Sequence, residues 1–515
     1  MSRSRLLALP LLLAFLLTAG CGEEGAQTPQ TAAPTPTVSA PAQTQGTGLE
    51  FALPCYPQSS FHPITGANRT NLTLGGLIYE GLFELDENFQ PRNVLCSSYA
   101  VSEDGLTWTF ALVQGVTFSD GSTLTPQDAA DSLNLARTST LYAARLAGVT
   151  GVTAQEGGVS VTLSAPNGAL PALLDIPIVK GTGERPLGTG PYALSGEGED
   201  LVLTARTGWW QDRALPCSQI PLRSIQAADD LIHAFDTKDI SLVFTDLTGT
   251  NALGFSGSFE TVDCPTSVML YVGFNCTSGP CAQQGVRQAL QRSFDRQSVA
   301  TVLLARHAQE AALPVSPASP LYDEDLAGQL EYAPSAAEEL LAGLGWSKGE
   351  DGILSQGRQK LSLTFVVPSD NTHRLAAAEH LAQGLTQIGI EVELEKLSWT
   401  EYTAALERGD FDLYLGEVRM TGDFDPGVLI APGGTLNYGG YNDPQAVQLL
   451  TAFRAASGEN RTAAALALYT YLAENPPFGV ICFKNWSLLV QWGQVEGMTP
   501  TQQNAFHGFA DWKIA

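Results

Sequence analysis

Residues 77–88 read LIYEGLFELDEN, and residues 102–134 read SEDGLTWTFALVQGVTFSDGSTLTPQDAADSLN. The second stretch carries its own folding instructions. Trp108, Phe110 and Leu112 alternate with Thr107, Thr109 and Ala111, the period of a strand with one face on a core. Val116 and Phe118 are expected to start a second strand after Gln114-Gly115. Asp120-Gly121 is a turn pair, because glycine accepts positive φ. Thr125 offers an N-cap hydroxyl, Pro126 suits the first helical position, and Asp128 complements the helix dipole. Ala129, Ala130, Leu133 and Arg137 continue at helical spacing. Everything in this run is scaffold; none of it calls for catalysis.

The body of the chain extends the pattern. Gly188-Thr-Gly-Pro-Tyr192 is a Gly/Pro turn before a strand at 201–205, and it lacks the spacing of a phosphate loop. Val272-Gly-Phe-Asn275, Val286-Arg-Gln-Ala-Leu290 and Phe294-Asp-Arg296 follow. A helix is expected after Tyr332-Ala-Pro, with Ser335 and Glu338 as a capping box and Gly343 and Gly345 at its end. A strand at 361–367, a helix at 374–388 and a strand at 390–397 form a βαβ unit, which implies a parallel pair. A helix at 399–407 and a strand at 411–416 complete the run. In order and wording, these blocks resemble the family-5 solute-binding proteins of ABC importers, the dipeptide, oligopeptide and nickel receptors. The resemblance covers essentially the whole body.

It implies an α/β, two-lobe, periplasmic-binding-protein-like clamshell (type II, cluster C) with an extra subdomain in lobe one. Lobe one would span residues 49–271, with the inserted subdomain at about 72–180. Lobe two would span 272–482, and 483–515 would return to lobe one. The crossings are expected near Tyr271–Asn275 and Val480–Asn485. Closure of the lobes on a small solute, a short peptide above all, would present it to the permease subunits in the membrane.

The N-terminus supplies an address. Two arginines precede an apolar run at 6–17, too short to span a bilayer, and Leu17-Thr-Ala-Gly-Cys21 follows. This reads as a signal peptide over 1–20. Its ending resembles a lipobox with Cys21 lipidated, which implies a monomer tethered on the extracytoplasmic face of a bacterium lacking an outer membrane. Residues 21–48, rich in Thr, Pro, Ala, Gln and Gly, read as a flexible leash.

Composition narrows the class. The chain has 515 residues, 27 basic against 53 acidic, and a formal charge of −26. That balance argues strongly against nucleic-acid binding, which needs a positive surface. Besides Cys21 there are seven cysteines. Cys276 and Cys281 bracket a short loop and are a possible disulfide; Cys217 with Cys264 and Cys55 with Cys96 are further pairings. A zinc site at Cys264, Cys276 and Cys281 is the alternative, although the spacing matches no common zinc pattern. No metal or cofactor is expected.

Five residues are expected to touch the solute. Trp399 matches a tryptophan that lines side-chain pockets in the peptide receptors; its alternative is a core position. Asp423 matches the aspartate that pairs with a peptide's α-ammonium; its alternative is a loop cap. Arg419 stands where peptide receptors often have tryptophan. It would clamp a ligand carboxylate or pair with Glu417 or Asp423. Tyr438 and Tyr441 sit in the glycine-rich run 433–441, which would read the ligand or merely bend. The six histidines form no H-E-x-x-H motif, and there is no G-x-S-x-G elbow. An exported hydrolase, a nickel-chelate receptor and a ligand-sensing lipoprotein are the remaining alternatives.

Overall fold

The computed structural model describes residues 48–515. The expected signal peptide, Cys21 and nearly all of the leash fall outside them.

The opening stretch folds much as its pattern dictates. The strand Thr107–Leu112 buries Trp108, Phe110 and Leu112. It lies inside an antiparallel sheet ordered Cys96–Val101, Thr107–Leu112, Gly158–Leu163, Val149–Gln155. Thr125 and Asp128 form a complete capping box on the helix Pro126–Ala136. Gly121 takes φ +82 at the turn. The second strand does not form. Residues 116–124 are a short loop whose ends meet in one bridge, Thr117 to Thr123. The turn at Gly121 reverses the chain too soon for a ladder, and Val116 and Phe118 are buried from that loop.

The Gly/Pro turn has a packing reason. A Cβ at Gly188 would stand 2.0 Å from the Ile78 carbonyl oxygen, and Gly190 N–H donates to that same oxygen at 2.9 Å. Only glycine lets this backbone seal the end of the helix Arg69–Ile78. A four-stranded sheet, ordered Leu53–Cys55, Gln219–Ser224, Val202–Ala205, Tyr192–Ser195, completes this half.

A seven-stranded sheet links the first half to the second and forms the body of the second. Its main path runs Leu242–Thr245, Phe478–Gln491, Phe259–Phe274, Leu413–Arg419, Ser362–Pro368, Glu391–Leu397, and Ala308–Glu310 also pairs with Phe478–Gln491. Ser362–Pro368 is parallel to both Glu391–Leu397 and Leu413–Arg419, as the βαβ pattern requires. The intervening helix starts two residues earlier than expected, at Thr372, because Asn371 accepts from Arg374 N–H and caps it. The capping box expected at Ser335 is absent. The helix is Pro334–Gly343 and its cap position is Ala333, fixed there by its N–H donating to the Arg292 carbonyl. Glu338 turns outward to Lys348 instead.

Two long antiparallel strands, Phe259–Phe274 and Phe478–Gln491, run from one core into another. Leu488 and Val490 belong to the core of the first half. Leu270, Val272, Ile481 and Cys482 belong to the core of the second. Between these groups the side chains become polar: Thr266, Ser267, Lys484, Asn485 and Ser487 are all buried there. The register shifts at the same place, between Pro265 and Met269. A bulge and a proline, which cannot donate to the ladder, mark the point where the strands leave one core for the other. Tyr271 and Phe274, where the first crossing was expected, are packed in the cores of the second half.

All seven cysteines among the described residues are free thiols, so the disulfide expected between Cys276 and Cys281 is not formed. Cys281 is fully buried in the second core, and burial holds its thiol well above the ordinary range. Cys264 lies opposite Trp486 on the long strand pair, in a different part of the fold. Among the described residues no helix is long and apolar enough to cross a membrane, and no group of three His, Cys, Asp or Glu side chains is placed to hold a metal.

Candidate functional site

The parallel strands Ser362–Pro368, Glu391–Leu397 and Leu413–Arg419 bring their carboxyl ends to one edge. In open α/β sheets, ligands bind outside such an edge. Here the edge meets the first half of the molecule. Asn371, just past the first of these strands, donates from Nδ2 to the Thr248 carbonyl at 3.1 Å. Arg374 donates from Nη2 to Thr250 Oγ1 at 2.8 Å. Beside this junction lies a cavity of about 540 Å³, walled by the start of the helix at Asn68–Thr73, the strand segment Leu242–Asp246, Thr250, Asn251 and Glu417.

The charges around it fall into two groups. Lys484, 2% exposed, donates to Asp246 at 2.8 Å and lies 3.4 Å from Glu417. One ammonium thus holds two carboxylates across the strand crossing. The second group is cationic. The Arg69 guanidinium carbon is 3.9 Å from the Trp486 ring centroid, and that of Arg419 is 4.4 Å from the same centroid. Phe244 meets Trp486 edge-on at 5.4 Å. Arg419 is exposed to solvent at the end of its strand. Desolvation and then the charges of Arg69 and Arg145 push it down to about 10, so it remains a cation at neutral pH. It pairs with neither Glu417 nor Asp423, the two partners open to it on sequence grounds: Glu417 is on Lys484, and Asp423 is engaged elsewhere.

Asp423 lies deep, 5% exposed. Thr421 Oγ1 donates to its Oδ1, and Asn167 Nδ2, from the first half, donates to its Oδ2 at 3.4 Å. Burial and then the neighbouring Asp425 raise its pKa. Its backbone carbonyl accepts from Arg461 at 2.7 Å. Asp425, next along, is ion-paired to Arg454. Trp399 stands 53% exposed at the start of its helix, on the same strand-end edge, with its ring against Tyr402 at 5.7 Å.

Tyr438 and Tyr441 are not brought to this place. Their loop is fastened by Cys276 N–H to the Gly439 carbonyl at 2.9 Å. Cys276 follows Phe274, the partner of Leu413, whereas Arg419 pairs with Val268 at the other end of the ladder. A strand of this length separates the two by roughly 20 Å. Tyr441 is 5% exposed and packs in a core. Arg69, Trp486, Lys484, Asp246 and Asn167 were not anticipated. The one sequence signal was Lys484-Asn-Trp-Ser487, a polar break in an otherwise apolar strand.

A serine, a histidine and an aspartate do meet near the strand crossing, without the arrangement of a hydrolase. Ser487 Oγ donates straight to Asp263 Oδ1 at 2.6 Å, and His307 Nδ1 lies 2.9 Å from Asp263 Oδ2. Both groups lean on the aspartate, so the imidazole does not stand between serine and carboxylate as a base. Ser487 is also fully buried.

Known proteins agree with this architecture. Residues 90–436 match the family described as bacterial extracellular solute-binding proteins, family 5 Middle. Protein XP55 of Streptomyces lividans is 28% identical over 391 residues, 71% of this chain and 70% of that protein. The glutathione-binding protein GsiB of Salmonella paratyphi A is 28% identical over 379 residues, 67% of this chain and 70% of that protein. The oligopeptide-binding protein AppA of Bacillus subtilis, solved with a nonapeptide, superposes with a TM-score of 0.61 at 20% identity, covering 90% of this chain and 99% of that one. The two halves described above are the two lobes of that fold, and the chain belongs to the family-5 bacterial extracellular solute-binding proteins, the substrate-binding components of ABC importers.

Proposed function

We propose that this protein captures a short peptide in the cleft between its lobes and hands it to the permease of an ABC importer. The observation that carries this reading is the cavity of about 540 Å³ walled by the first half of the molecule and reached from the second by Glu417, near the end of a parallel strand. Its rim holds acidic and basic side chains a short distance apart, which suits a small zwitterion with hydrogen-bonding backbone. The relatives support the class: one is named for glutathione and one was solved with a nonapeptide.

The lobes hinge, on this reading, at residues 265–268 and 484–487, where the long strands change cores. Asp423 takes the α-ammonium only by exchanging Asn167 Nδ2, a long contact at 3.4 Å that lobe movement would release. Cys21 carries the lipid and holds the receptor on the extracytoplasmic face, as a monomer.

Native mass spectrometry of the purified protein, followed by denaturation, tests the assignment. Release of peptides of a few residues is the expected result. Release of a sugar or a nickel chelate keeps the receptor and overturns the peptide.

A further inference from the structure

Two phenylalanines meet across the lobes, and both take a backbone conformation that phenylalanine rarely adopts. Phe89 has φ +61 and Phe424 has φ +52, left-handed values that crowd the Cβ of any residue but glycine. Their rings touch edge to face, with centroids 4.9 Å apart. Both are buried.

Phe89 stands at the tip of the first-lobe hairpin formed by Phe83–Leu85 and Pro91–Asn93. One carboxylate sets that tip. Asp86 accepts from the backbone N–H groups of Asn88 and Gln90, each at 2.9 Å, and from Arg92 Nε at 2.8 Å. The braced tip carries its ring out of its own lobe. Among the described residues, Phe89 is the one first-lobe side chain in a core otherwise built from the second lobe. Phe424 and Phe483 belong to the same core and meet edge-on at 6.0 Å. The three rings thus join the hairpin, the loop that carries Asp423, and the long strand beside Lys484.

The fit around that loop is close. A Cβ at Gly422 would stand 2.7 Å from Leu85 Cδ1 and 2.8 Å from the Ala172 carbonyl oxygen, both in lobe one. At Phe424 the chain reverses, and its N–H donates to the Thr421 carbonyl at 2.9 Å. The carboxylates on either side go to separate partners, Asp423 to Thr421 and Asn167, Asp425 to Arg454. A left-handed turn at an aromatic residue persists only where packing over-determines it, and such strain gathers at ligand clamps. Part of that packing comes from the opposite lobe.

We propose that Phe89 is a positioning residue: from lobe one it acts through Phe424 to hold Asp423 where it meets the solute, so that the anchor is complete only while the lobes are together. This rests on the reading of Asp423 given above. Opening of the cleft draws the hairpin tip off Phe424, the strained turn relaxes, and the carboxylate leaves its place as the solute is let go.

Phe89→Gly removes the ring and suits φ +61, so the hairpin keeps its turn. A tripeptide mixture of randomised side chains with free termini is titrated against each variant. The thermal midpoint is followed relative to that variant's own ligand-free value. Phe89→Gly and Asp423→Asn are each expected to raise the concentration needed by about 5-fold, and the double variant also by about 5-fold, because both remove the same contact. With Arg419→Gln in place of Asp423→Asn, the two effects should multiply. A change that merely loosened the lobes would combine with both partners alike. Phe89→Leu, which refills the core, should recover part of the loss. If the effects of Phe89→Gly and Asp423→Asn multiply, or if either variant binds as the wild type does, the proposal is overturned and the peptide reading stands.

If the mixture leaves the wild-type midpoint unmoved, the peptide reading fails and the turn is judged by itself. Hydrogen exchange then reads the Phe424 and Gly427 amides, which bond within the loop. Exchange there that quickens by about 10-fold in Phe89→Gly, beyond any change at the Gln90 amide, supports the hold of Phe89 on the Asp423 loop. Unchanged exchange at Phe424 overturns it.

Discussion

Two charged regions of this molecule lie within the same cleft-facing edge and differ in one respect. Around Asp423 and Asp425 every charge has an owner: Thr421 and Asn167 hold Asp423, Arg454 holds Asp425, and Arg461 holds the backbone behind them. Around Trp486, Arg69 and Arg419 have none. Both regions have suggestive residue types, and only the second has donors left to give. A charge already satisfied by its own chain builds the lobe. A charge left unsatisfied beside a cavity awaits something from outside, because burying it alone is paid back only on binding.

The comparison is sharpened most by removing a spent charge. Lys484→Met leaves Asp246 and Glu417 facing each other near the strand crossing. It should lower unfolding free energy by about 3–5 kcal/mol in chemical denaturation, and a loss under about 1 kcal/mol would show that those carboxylates are not held as described. Arg461→Leu comes next. It strips donors from the carbonyls of Phe453 and Asp423 and should destabilise by roughly 2–3 kcal/mol, with tripeptide affinity little changed. By contrast, the arginine substitutions at 69 and 419 should leave stability nearly intact or raise it, since they relieve repulsion.

Asp423→Asn tests the owned region directly. Asparagine keeps an acceptor for Thr421, and burial already disfavours the charge. Stability should move by less than about 1 kcal/mol, and tripeptide affinity should fall less than in Arg419→Gln. A larger fall than in Arg419→Gln, measured by the same thermal titration, would make Asp423 the principal anchor and break the contrast.

The smallest effect concerns His307. Its hydrogen bond to Asp263, with burial opposing, raises its pKa above the usual histidine value. A raised folded pKa means that the stabilisation is fully present below about pH 6.5, the unfolded value, and is lost as pH climbs through the folded one. The pair is partly exposed, 22% and 26%, so the contribution should stay under about 1 kcal/mol. Denaturation at pH 6 and pH 8 should show it, and His307→Gln should flatten the difference.

Much of the scaffold was readable because its determinants are local. Thr125 and Asp128 sit three residues apart and cap one helix; Trp108, Phe110 and Leu112 alternate within one strand; the βαβ run around residues 362–397 declares itself by period and turn. Local signals misled where a distant contact intervened. Docking of Ala333 on Arg292 moved the cap away from Ser335, and an early reversal at Gly121 cancelled a strand.

Sequence alone determined the family and the order of the elements, since patterning and capping act over a few residues at a time. The tertiary structure alone decided which polar residues are spent. Arg69 is separated from Arg419 and Trp486 by hundreds of positions, as Asn167 is from Asp423, and Tyr438 and Tyr441 lie near the opposite end of a ladder from Arg419. Pairing across such distances is set by strand register and core packing, where one bulge between Pro265 and Met269 redirects every side chain that follows.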